Sequence, residues 1–74
     1  MDITTMMSER NEALLSLDAH KILAYADKYG VQMPSDPDAF WAVIHKARCL
    51  WAECPADARS MSELWLRSNG WDSP

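Results

Sequence analysis

Residues 36–51, DPDAFWAVIHKARCLW, carry the strongest helix signal in the chain, and the fold depends on which side of that helix faces inward. Ser35 or Asp36 can cap its start, Pro37 suits the first turn, and Asp38 complements the positive end of the helix dipole. The helix is predicted to run from 36 to about 53, because the residue before Pro55 avoids the helical region. It carries two large aromatics side by side, Phe40 and Trp41. Neighbouring residues on a helix point about 100° apart, so one apolar stripe cannot centre both.

On a helical wheel Phe40, Val43, Ile44, Ala47, Leu50, Trp51 and Cys54 fall within a sector about 120° wide, the predicted core face. Lys46 and Glu53 lie opposite. Trp41 falls off the centre, at the head of a mixed flank with His45, Arg48 and Ala52. One reading is that a neighbouring helix leans over this flank. The other is a contact surface, since Trp and Arg dominate binding hot spots and an exposed indole favours being covered. On the second reading Trp41, His45, Arg48 and Ala52 are the partner-binding residues.

Outward from this helix, Gly30, Pro34, Pro37, Pro55 and Gly70 divide the chain. The segment before Gly30 shows helical periodicity, with Ala19, Ile22, Leu23, Tyr25, Ala26 and Tyr29 on one side, and is predicted as a helix over about 8–29. Ser16 and Asp18 are each good caps, so a break there is allowed. After Pro55 a third helix is predicted over about 56–69. Its apolar side is Ala58, Met61, Leu64 and Trp65, with Arg59, Glu63 and Arg67 on an exposed, ion-paired side. Tyr25, Gly30 and Pro34 repeat the spacing of Trp65, Gly70 and Pro74, which reads as one helix-stop device used twice. No stretch alternates with a period of two. The expectation is an all-α single domain over 1–74, a compact three-helix bundle.

Seventy-four residues with an apolar share of 49% can fold, but over a thin core. A homodimer is one remedy, with the first helix as the pairing element. Eleven acidic residues against seven basic give a net charge of −4, and no run of Lys or Arg occurs. That balance argues against nucleic-acid and membrane-surface binding. No basic, apolar leader and no span of ~20 apolar residues is present, so the expected location is a cytoplasm with both thiols reduced. Cys49 and Cys54 are five apart, about 140° around a helix, which suits neither a disulfide within it nor a CxxC pair. His45 and Cys49 share a face, and His20, Cys54 or Asp38 could add ligands, but the paired spacings of structural zinc are absent. Ser8, Ser16, Ser60 and Ser62 sit at caps or polar faces without an adjacent base, so neither an enzyme nor a cofactor is expected.

The acid-Pro start, Phe40-Trp41, His45-Lys46-Ala47-Arg48, the Ser-x-x-Trp-Leu of 62–66 and Gly70, spanning about 25–71, resemble small accessory proteins of temperate bacteriophages and prophages. The resemblance implies a non-enzymatic module that binds and inhibits a host protein in the bacterial cytoplasm, of the host-takeover or anti-defence kind. The alternative expectation is a small helix-turn-helix-like DNA-associated regulator, for which the short AECPADA link at 52–58 is suited.

Overall fold

Local cap chemistry sets nearly every helix boundary. A computed structural model describes residues 3–71 and contains four helices among them: α1 (Ile3–Ser16), α2 (Ala19–Tyr29), α3 (Pro37–Leu50) and α4 (Ala56–Ser68). The described residues are all-helical, with one helix more than the predicted three. The predicted helix over 8–29 begins earlier and breaks after Ser16. There the Ser16 hydroxyl donates to the Ala13 carbonyl at 2.7 Å and accepts the Asp18 N–H at 3.1 Å, closing α1. Leu17 takes a left-handed φ of 51°, at a cost of about 1 kcal/mol for a residue with a Cβ. Asp18 then opens α2, its carboxylate accepting the His20 N–H at 2.9 Å.

The two glycine stops share one geometry. Gly30 and Gly70 have φ of 69° and 78°, and the N–H groups of Val31 and Trp71 each donate at 2.8 Å, to Ala26 and Leu66 respectively. This is the Schellman pattern. Pro74 lies outside the described residues.

Asp36 caps α3 by accepting the Ala39 N–H at 2.9 Å, with Pro37 in the first turn. The helix ends at Leu50, short of the predicted Glu53. Pro55 opens α4, and the chain must turn between them, with the Cys54 N–H donating to the Trp51 carbonyl at 3.1 Å. Arg59 supplies the missing cap, donating from Nη2 to the carbonyls of Trp51 at 2.8 Å and Ala52 at 2.9 Å.

The described residues divide into two compact units, with the boundary between Met33 and Pro34. In the first, α1 packs on α2, and Ala13, Leu14, Ile22 and Ala26 are buried. Lys28 pairs with Glu9 at 2.9 Å, and the Tyr29 hydroxyl donates to the same carboxylate at 3.0 Å. In the second, α3 packs on α4, and Phe40, Ala42, Ile44, Cys54, Ala58 and Leu66 are buried. No helix among the described residues is long and apolar enough to cross a membrane.

Candidate functional site

The face that α3 turns inward differs from the predicted one. Phe40 and Ile44 are buried as expected, but His45 and Arg48 are only 6% and 3% exposed. Val43 and Leu50, predicted in the core, are 43% and 73% exposed. The buried arc is rotated toward Trp41, which is itself half-buried, and Ala52 is exposed. Of the four residues expected on a partner surface, His45 and Arg48 are therefore inside, and Trp41 and Ala52 keep solvent contact.

The physical reason lies on α4. Its buried residues are Ala58, Ser62 and Leu66, spaced four apart, while Met61 and Leu64, expected on its apolar side, are 58% and 62% exposed. Ala58 and Ser62 are small, so α3 can approach closely. Ser62 is fully buried, and its Oγ lies 2.8 Å from His45 Nδ1. Each polar group satisfies the other, which makes both tolerable inside. Trp65 stacks on the imidazole at 4.5 Å with the planes inclined by 22°, and Trp41 lies 6.4 Å from it on the other helix. Phe40 meets Trp41 edge-on at 5.0 Å. The adjacent aromatics of the opening stretch thus both serve the inner side of α3.

Burial pushes the His45 pKa below its ordinary value, and the nearby Arg48 charge adds to that shift, so the ring is neutral near pH 7. Burial likewise raises the Cys49 thiol, with the Glu63 carboxylate and Cys54 acting the same way and Arg59 and Arg48 opposing.

Sequence reasoning missed the His45–Ser62 pair, because a serine on a predicted polar side gave no hint of a partner 17 positions away. A serine hydroxyl on a histidine nitrogen is the beginning of a nucleophilic dyad. Here the Ser62 side chain has no exposed surface for a substrate to reach, so the pair acts as a buried clasp between α3 and α4.

Arg59 is also placed differently from expectation. It is half-buried at the end of α3, and no ion pair among Arg59, Glu63 and Arg67 occurs among the described residues. Its Nη2 is held by two carbonyls, which removes one of the few cations that α4 offers to a phosphate. Lys46 lies 5.6 Å from the Trp71 ring, a cation–π contact at the close of the chain.

In the first unit, α1 and α2 border an open groove of about 260 Å³ whose lining includes Glu9, Glu12, Lys21 and Lys28. It is smaller than ordinary ligand sites and carries both signs of charge. No group of three His, Cys, Asp or Glu side chains among the described residues is arranged to hold a metal ion. No protein-family model, no curated protein and no solved structure matches the chain.

Proposed function

We propose that this chain is a non-enzymatic protein-binding module, a phage accessory protein that occludes a surface on a bacterial host protein. One observation carries the reading: α3 is inverted. It turns the polar His45 and Arg48 inward, and the apolar Val43 and Leu50 outward, with the small Ala47 between them on the same stripe. Polar side chains are ordinarily left outside, and a helix apolar on both sides asks for cover on both. The proposed contact is therefore the Val43–Ala47–Leu50 stripe, with Trp41 on the opposite edge of α3 and Ala52 just beyond its end as secondary contacts. The net charge of −4 suits a protein partner better than a phosphate backbone.

The test is capture of a protein from bacterial lysate, followed by calorimetric titration of that protein in pure form. Leu50→Lys and Val43→Glu should each weaken binding by about tenfold or more, equivalent to about 1.4 kcal/mol, without lowering the melting temperature. Variants that bind as the wild type does, or no captured protein beyond a tag-only control, would refute the reading.

A second copy as partner is favoured by a separate observation. Ile3 and Met7 are exposed on α1, on the same stripe as the buried Leu14. Light scattering giving the mass of two chains, reduced to one by Met7→Glu, is the expected result for a homodimer. The mass of one chain at high micromolar concentration would dismiss it.

A further inference from the structure

Arg48 is 97% buried, being 3% exposed, and its Nε and Nη1 nitrogens are sealed from solvent without a hydrogen-bond acceptor. An arginine cannot shed its charge, so burial cannot be relieved by neutralisation. A buried cation with unmet donors is among the most costly arrangements a small fold can hold. No carboxylate among the described residues lies within ion-pair distance of it. Glu63 and Arg59 both act electrostatically on neighbouring Cys49, as Arg48 does, yet Glu63 pairs with neither arginine, and Arg59 Nε is itself buried without an acceptor. The end of α3 therefore holds two guanidinium groups with spare donors. The place of Arg48 in the last turn, where the helix dipole favours a cation, offsets part of the cost but accepts none of the hydrogen bonds.

We infer that Arg48 is an anchor for a carboxylate supplied by the bound protein, an Asp or Glu side chain or a chain end. Trp41, seven residues before, shares its stripe on α3 and keeps solvent contact. Nη2 is the guanidinium nitrogen not sealed with the other two, and it is the donor through which a carboxylate reaches the charge in a charge-assisted hydrogen bond. The inference rests on the protein-binding reading and names the partner's chemistry. It concerns the side of α3 opposite the Val43–Leu50 stripe.

The experiment follows the Arg48 Nε–H signal in nitrogen-15 NMR of the full chain, assigned by its loss in Arg48→Met. The chain is titrated at pH 7 with sodium acetate, sodium phosphate or sodium chloride at equal ionic strength. A saturable shift with acetate, larger than with phosphate and absent with chloride, is expected. No shift, or the same shift with all three salts, overturns the anchor, and a larger shift with phosphate overturns the carboxylate assignment. Arg48→Met should also melt at a higher temperature than the wild type without added anion, because it removes an unpaired charge and keeps the bulk. A lower melting temperature would mean that the guanidinium is a structural group, against the inference. Against the captured host protein, Arg48→Met and Arg48→Lys should both lose affinity, since lysine keeps the charge but not the planar guanidinium that places Nη2. If Leu50→Lys abolishes capture while both Arg48 variants bind normally, the protein-binding reading stands and this inference fails.

Discussion

Acidification should loosen the second unit through a single side chain, His45. Its folded pKa is depressed by burial and by the Arg48 charge, while in the unfolded chain it returns to about 6.5. Above pH 6.5 neither state binds the proton, and the stability is fully present. Below it the unfolded state takes up a proton that the folded state refuses, so stability falls as pH drops from about 6.5 toward the folded pKa, and levels off beneath that. Where the folded ring stays neutral, the loss between pH 7.5 and 5.5 is about 1.4 kcal/mol, one pH unit's worth of linkage. A chain of this length has roughly 4–11 kcal/mol in all, so that change is visible. The structure says why the proton is refused: the ring is buried, and the Arg48 cation is close by. The assay is urea unfolding at pH 7.5, 6.5 and 5.5, followed by Trp fluorescence, on the wild type, His45→Gln and His20→Gln. His20 is exposed and serves as the control. The wild type and His20→Gln should lose stability across this range, by up to about 1.4 kcal/mol, and His45→Gln much less. An equal pH dependence in His45→Gln would refute the reasoning.

Three further substitutions probe the frame around that clasp. Leu66→Ala should lower unfolding free energy by about 2–5 kcal/mol in denaturant titrations, because Leu66 is fully buried and its loss leaves a cavity. Gly30→Ala should lower it by about 1 kcal/mol purely through the backbone, since an added Cβ meets nothing within 4 Å while φ stays at 69°; an unchanged midpoint would contradict the stop geometry. Arg59→Ala should lower it by about 1–2 kcal/mol by freeing the Trp51 and Ala52 carbonyls, with partial recovery in Arg59→Lys, measured in the same way.

Features written in local backbone chemistry were legible before the structure. Asp36-Pro37 opening α3, and Gly30 and Gly70 closing α2 and α4, need only the residues beside them, and each appears where the caps indicate. The break near Ser16 was readable as two competing caps, but not as a hinge at Leu17, because nothing in a leucine advertises a left-handed φ. The inward face of α3 was not legible. The wheel ranks Val43 and Leu50 above His45 and Arg48 by hydrophobicity alone, whereas the structure ranks them by what α4 offers opposite: a hydroxyl for an imidazole, and an indole to stack on it. Arg59 illustrates the same limit. Its four-residue spacing to Glu63 suggested a solvated pair, while the carbonyls left open before Pro55 drew it across to α3 instead.

The inversion of α3 underlies both the proposed partner surface and the Arg48 anchor, and proton–proton NOE contacts test it most directly. Strong contacts are expected between the His45 ring protons and the Trp65 indole, whose centroids are 4.5 Å apart, and none from the Leu50 methyls to α4. Contacts from the Val43 and Leu50 methyls to α4, with the His45 ring free of Trp65, would show the helix turned the other way and contradict it.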